Sequence, residues 1–450
     1  MKRHAAAALV LAVGATVGAV QGAPPTAAQT APNLVIGWNE TLATAALASG
    51  IAPGPDPLHE SRMYAMVHIA IHDALNAIDR RSEPYAVDLG EHPDASVDAA
   101  VAVAAYKVAV PVLEELRALP AVLAINVDAA RAVVQEAYDD AIGDVAAGPA
   151  KDEGMAIGED AAAAILDDRT GDGSDTEFLD FGYEEGDQPG EYRFIPGAPF
   201  AAAPGWGEVT PFLFDDIESI RPHRPHDLAS RQYAKDFDEL KRLGGDDEGT
   251  PSDRTDDETE IAMFWFESSP LMWNRIARTV SVPEGLDAWD TARLFALLNM
   301  ALADGYVANW DVKYLYNRWR PQTAIFFGDD DTNRWTDGDE SWRPLVPNGA
   351  TPEYDSGHSI EGAAAAEVMR RVLGTDRVTF SACSYTLPER SCTHADPITR
   401  DFKRLSDAAA ENGWSRILVG WHFRNAVETG LKRGQRIGAE AVREFLQPVR

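Results

Sequence analysis

The chain has 450 residues, 45% of them hydrophobic and 25% charged, which excludes wholesale disorder and leaves enough chain to bury a large core. Forty Lys and Arg against 72 Asp and Glu give a formal charge of −32 at pH 7. So acidic a surface repels nucleic acid and anionic lipid, because both are held mainly by cations that neutralise phosphate; no nucleic-acid partner is expected, and any anionic ligand must be met by a local cationic pocket.

Residues 1–28 read as an export signal with a short tail. Lys2, Arg3 and His4 precede a small-residue apolar stretch from Ala5 to Val20, which Pro24 and Pro25 end; cleavage after Gly22 or Ala28 suits the small residues there. The expected location is secreted or periplasmic. Beyond that stretch no apolar run of 18 residues occurs, so no membrane span is expected.

Residues 29–450 are expected to form a single domain. From His59 to Asp79, the residues Met63, Val67, Ile71, Leu75 and Ile78 recur at helical spacing. Helical patterns follow at 96–119, interrupted by Pro111, and at 127–147, 151–166, 229–243, 257–266, 287–315, 358–373, 402–412 and 415–446. The last is expected to break near Gly430 or Gly434. Alternating strands are scarce, so the expected class is all-α.

Between the helices, 168–210, 244–256 and 328–357 read as long surface loops. Asp172 and Asp175 lack the spacing of an EF-hand, which favours a solvated loop over a calcium site. Cys383 and Cys392 have eight residues between them and read as a disulfide in an exported chain. His68 and His72 stand i,i+4, but no third ligand completes a metal motif, so core histidines are the expected reading. The run Arg-Pro-His-Arg-Pro-His at 221–226 suits an entrance or a plain loop equally. No GxSxG, P-loop or dinucleotide fingerprint occurs.

Three short segments carry the chemistry. Lys313 and Arg320 are seven apart, two helical turns, and sit among Trp310, Tyr314, Tyr316 and Trp319; two cations on one face of a half-enclosed site need an anion. Ser356-Gly357-His358 offers a hydroxyl, an open backbone N–H and an imidazole at a helix start, which suits an oxyanion, although N-capping by Asp355 or Ser356 explains it as simply. Arg416 and His422 are six apart, about 120° on one regular helix, with the long Arg reaching from near the helix start.

In this order and spacing, Lys-x6-Arg-Pro, Ser-Gly-His and Ser-Arg-x5-His resemble the vanadium-dependent haloperoxidase and type 2 phosphatidic-acid phosphatase superfamily, and more closely its exported bacterial vanadium haloperoxidase-like branch. The segments 61–76 and 205–211 are similar to that branch as well, so the resemblance spans roughly residues 38–446. It implies two packed four-helix bundles forming one compact domain, with the oxyanion site in the C-terminal half, about 287–446. It further implies that Lys313, Arg320 and Arg416 neutralise the oxygens of vanadate or of phosphate in the same site. Ser356 and the Gly357 N–H add hydrogen bonds, His422 is the metal ligand or phosphorus nucleophile, and His358 is the acid–base group.

The chain departs from the family in places. Asp355 stands where Pro is frequent, Thr351 where some members carry His or a bulky aromatic, and Ala426 where a carboxylate four residues after the last His often orients it. That leaves Asn425 or a backbone carbonyl to orient His422. The leading expectation is a haloperoxidase that uses vanadate, hydrogen peroxide and a halide, bromide or chloride, to make hypohalous acid, with Lys313 polarising the peroxide. The alternatives are an exported acid phosphatase acting on a phosphate ester through a phosphohistidine, and a non-catalytic oxyanion binder. A homodimer is compatible with all three.

Overall fold

Asn33 accepts a hydrogen bond from the Val35 N–H and opens α1 (Leu34–Ser49), which Gly50 ends at φ +83°. Asp56 caps α2 (Pro57–Ile78), and every residue of α2 from Leu58 onward is buried. With α3 (Val97–Glu115), α4 (Val127–Asp144) and α5 (Pro149–Asp168), these helices make a first bundle. The computed structural model describes residues 33–449; the export signal expected at 1–28 lies outside the described residues.

The remaining helices are α6 (Arg231–Leu243), α7 (Asp256–Phe264), α8 (Ser269–Ser281), α9 (Ala288–Tyr316), α10 (Pro321–Phe326), α11 (Gly357–Val372), α12 (Leu405–Leu418) and α13 (Arg424–Glu444). A second bundle forms around α9, α11, α12 and α13, and α2 packs along α9 where the two bundles meet. The described residues hold two small antiparallel sheets: β1 (Leu179–Asp180) with β2 (Ala201–Ala202), and β3 (Phe380–Cys383) with β4 (Thr399–Phe402). The fold is all-α, as the sequence predicts. None of the described helices is long and apolar enough to cross a membrane.

Several boundaries differ from the sequence reading. Helices α1, α8 and α10 are additional; α10 is short, and both α8 and α10 carry Pro in their first turn. Helix α3 runs through Pro111, which lies on the exposed side, where water can replace the lost hydrogen bond. The break expected near Gly430 or Gly434 falls instead between Leu418 and Arg424, with Gly420 at φ +79°.

Those glycines are packing positions. A Cβ on Gly430 would lie 2.6 Å from the Ser356 carbonyl oxygen, one on Gly434 would strike that of Ile360, and one on Gly438 would lie 2.5 Å from that of Ala364. Both numberings climb together in steps of four, so α11 and α13 run parallel, backbone against backbone, with their N-termini at the same end. Gly434→Val should therefore lower stability by about 1–3 kcal/mol, the usual cost of overpacking. Gly37→Ala, in an exposed turn of α1 with nothing near its Cβ, should raise it by about 0.5–1 kcal/mol. Urea midpoints of the two variants check both signs.

Candidate active site

The common N-terminal end of α11 and α13 is where the predicted residues meet. Lys313 sits in the last turn of α9, which Asn317 ends in the left-handed region at φ +46°. Arg320 is therefore not on the same helix as Lys313; it is the N-cap of α10. Arg416 likewise lies in the last turn of α12, not near a helix start, and His422 stands in the connector before α13. In each pair the chain turns sharply between the two residues, so convergence comes from the turn and not from a shared helical face.

Lys313, Arg320, Gly357, His358 and His422 line one cavity of about 430 Å³. The Arg416 guanidinium stacks behind its wall, 5.3 Å from the ring centre of Trp421 and 5.7 Å from that of Phe266. Ser356 is fully buried and does not line the cavity; its Oγ accepts from Ser359 Oγ at 2.8 Å, which leaves its own hydroxyl hydrogen free.

The three cations are held differently. Lys313 Nζ donates to the carbonyls of Pro352, Glu353 and Asp355 at 2.8, 3.1 and 3.1 Å, which engages all three of its hydrogens. Arg320 donates from Nε to the Thr351 carbonyl and from Nη2 to Thr351 Oγ1, at 2.6 and 2.5 Å. Arg416 donates only from Nη1, to the Trp265 carbonyl at 2.9 Å. Its Nε and Nη2 are buried with no hydrogen-bond partner among the described residues. A buried guanidinium with unpaired N–H groups is expensive unless an acceptor arrives. Burial and the neighbouring Arg320 push Arg416 down to about 9, and burial pushes Arg320 to about 10. Burial, reinforced by Arg320, holds Lys313 well below the ordinary lysine range.

The imidazoles are held neutral. Burial, then Lys313 and Arg320, keeps His422 well below its usual value; burial, then Arg416, does the same to His358. His422 Nδ1 lies 3.2 Å from Glu353 Oε1, and Arg320 Nη1 lies 3.3 Å from Nε2. Nδ1–H thus donates to the carboxylate, and the lone pair sits on Nε2 beside the cations. His358 Nε2 donates to the Glu267 carbonyl at 3.1 Å, leaving Nδ1 as the free ring nitrogen.

Glu353 is the functional residue the sequence reading left without a role. It is buried, burial pushes it up to about 7, and its Oε1 also accepts from the Phe423 N–H at 3.0 Å. It supplies the orienting carboxylate that Ala426 lacks, from 69 residues upstream in the chain. Asn425 does not substitute: its Oδ1 accepts from the His226 N–H. The signal was present in Glu353-Tyr-Asp-Ser356, but no spacing rule links that acid to a histidine in another segment.

At the start of α11, neither Ser356 nor Asp355 caps the helix. Asp355 is turned away into a buried pair with Arg433, at 3.0 Å, and also accepts from Asn309 Nδ2 at 2.8 Å. Uncapped N–H groups at the positive end of α11, two unpaired guanidinium nitrogens and one imidazole lone pair make a donor set that fits an oxyanion with a single nitrogen ligand. The residues present therefore fit vanadate, and equally phosphate.

Other candidates fall outside the cavity. His68 pairs with Asn39, and His72 with Asp73 and Ser82, all buried. Asp172 is not solvated: it is buried and bonded to Arg62, whereas Asp175 is exposed. No group of three metal-ligating side chains occurs among the described residues. Arg221 forms a two-bond pair with Asp311, so the 221–226 run is structural at that end. Cys383 and Cys392 form the expected disulfide.

Two outcomes follow from the charge and the dyad. Arg416→Met should stabilise the ligand-free protein by about 1–4 kcal/mol, since an apolar side chain replaces an unpaired buried charge, and should abolish the rise in melting temperature that orthovanadate gives the parent. Glu353→Ala should weaken orthovanadate binding about 10–100-fold, the usual cost of losing a group that orients a ligand. Thermal melts of Arg416→Met with and without orthovanadate, and equilibrium dialysis of Glu353→Ala, check these.

Residues 293–450 match the family described as the second helical-bundle domain of VCPO, the vanadium chloroperoxidases. Vanadium chloroperoxidase of Curvularia inaequalis is 25% identical over 276 residues, a match that spans 52% of this chain and 44% of that protein. Among solved structures, a bacterial vanadium-dependent iodoperoxidase superposes with a TM-score of 0.72 at 22% identity, covering 92% of this chain and 96% of the other. The apo form of a bacterial vanadium-dependent chloroperoxidase gives 0.66 at 16% identity, over 86% and 94%. Residues 293–450 thus match that family's second helical-bundle domain, and the described residues share the fold of the bacterial vanadium haloperoxidases.

Proposed function

We propose that the chain is a vanadate-dependent haloperoxidase, which oxidises bromide or chloride with hydrogen peroxide to hypohalous acid. The observation that carries this reading is the pair of unpaired Arg416 nitrogens buried beside a His422 whose Nε2 lone pair is fixed by Glu353. His422 Nε2 would bind the metal; Arg320, Arg416, the Gly357 N–H and the Ser356 hydroxyl would hold its oxygens, with Lys313 exchanging one carbonyl for an oxygen. Vanadate supplies a Lewis-acid centre that activates peroxide toward halide without changing its own oxidation state.

The chain's own contribution is charge and orientation. The cations gather and stabilise negative charge where water is largely excluded. Glu353 keeps the proton on Nδ1 of His422, so Nε2 stays available. His358, neutral and free at Nδ1, takes up or delivers a proton beside the reacting oxygens. The Cys383–Cys392 disulfide supports a working place outside the reducing cytosol, secreted or periplasmic.

A second reading rests on the same dyad: an imidazole oriented by a carboxylate can attack phosphorus, with His358 protonating the leaving oxygen. Bromination of a small soluble acceptor by purified protein, with and without vanadate, alongside hydrolysis of a phosphate monoester, decides between them. The expected result is bromination that requires vanadate and peroxide; hydrolysis without bromination overturns the reading. His422→Ala should abolish both bromination and retention of vanadium through gel filtration while leaving the helical circular dichroism unchanged.

A further inference from the structure

The cationic residues form only the floor of the 430 Å³ cavity. Its walls are apolar and come from elsewhere in the chain: Leu58 at the start of α2, Phe178 and Leu179 at β1, Ile195 and Phe200 before β2, and Trp310 on α9. No acidic side chain lines it, although the chain as a whole carries −32. The apolar surface continues outside the cavity. Phe181 is 64% exposed with its ring 5.4 Å from that of Phe200, and Val122, next to the lining residue Leu123, is 77% exposed. Peroxide and halide need no such walls. An apolar enclosure of this volume with a few polar groups at one end is the usual form of a site for a small organic molecule.

We infer that the vestibule binds a neutral, apolar aromatic acceptor, and that halogen is transferred to it there instead of escaping as free hypohalous acid. The inference rests on the peroxidase reading for its chemistry but not for its binding. In the overall step the acceptor's C–H bond breaks as a C–halogen bond forms. The halide gives two electrons to peroxide, and both peroxide oxygens leave as water: ArH + X− + H2O2 + H+ → ArX + 2 H2O. Once the cationic floor holds an oxyanion, the organic ring is held by burial of its apolar surface alone, so charge on it should exclude it. A sulfonated ring would have to leave its charges unsolvated against Phe178, Leu179 and Ile195.

The test uses 2-naphthol and its 6,8-disulfonate, which share one ring system, titrated at high salt so that the acidic surface is screened. Binding is measured first with the cationic floor saturated by orthophosphate and without vanadate or peroxide. The parent should bind 2-naphthol and not the disulfonate. Ile195→Asp should weaken 2-naphthol binding about tenfold, and Phe181→Asp, at an exposed position that cannot threaten the fold, about threefold. Both should keep the parent's melting-temperature response to orthovanadate. Equal binding of the two naphthols by the parent, or unchanged 2-naphthol binding in Phe181→Asp, overturns the inference. With vanadate, peroxide and bromide added, bromination of 2-naphthol relative to the disulfonate, each corrected for its reactivity with free hypobromite, should favour 2-naphthol about tenfold in the parent. A ratio of one overturns local transfer. Absence of all bromination instead defeats the peroxidase reading and leaves the binding result standing.

Discussion

Lys313 and Arg320 in one cavity, with Arg416 just behind its wall, are all buried, and gathering like charges out of water is the constraint that the rest of the second bundle answers. Lys313 and Arg320 are kept there by backbone carbonyls of 351–355, which a helix or strand would have used internally. That explains why this stretch is irregular although it is buried. Glu353 supplies negative charge beside Lys313 and Arg320, and Asp355 is spent on Arg433. What remains uncompensated is concentrated on Arg416, so the ligand-free pocket is under electrostatic strain whose natural relief is an oxyanion.

Placing such a pocket inside a chain of net charge −32 has a kinetic side. The surface field opposes anions at long range, while the floor attracts them at short range. Neutral ligands approach without that penalty. The mouth, lined by apolar and not acidic side chains, spares a small anion the worst of the repulsion at the last step.

Much of this was legible in the sequence. The helix class, the disulfide and the three cation and histidine segments follow from periodicity, cysteine spacing and motif order, and the structure brings Lys313, Arg320, Gly357, His358 and His422 to one cavity. The geometry within each motif was not legible. Asn317 and Gly420 turn the chain between Lys313 and Arg320 and between Arg416 and His422, and a helical wheel drawn through those residues gives the wrong angles. Glu353 was invisible as the partner of His422 because the pair is set by tertiary packing between segments 69 residues apart. Much of the apolar wall, too, belongs to a stretch that composition marks only as loop: Gly, Asp and Pro are abundant in 168–210, and Phe178, Leu179, Ile195 and Phe200 show no periodicity.

The parallel contact of α11 with α13 has a consequence for precision. Where Gly430, Gly434 and Gly438 meet the carbonyls of Ser356, Ile360 and Ala364, no rotamer intervenes, so the spacing of the two helices is a length fixed by peptide geometry. The Ser356–Gly357 turn leads directly into one helix and His422 stands two residues before the other. The pair acts as a gauge block: the separation between donor cradle and imidazole inherits the tolerance of backbone packing, a few tenths of an ångström, instead of the looser tolerance of side chains meeting across a core.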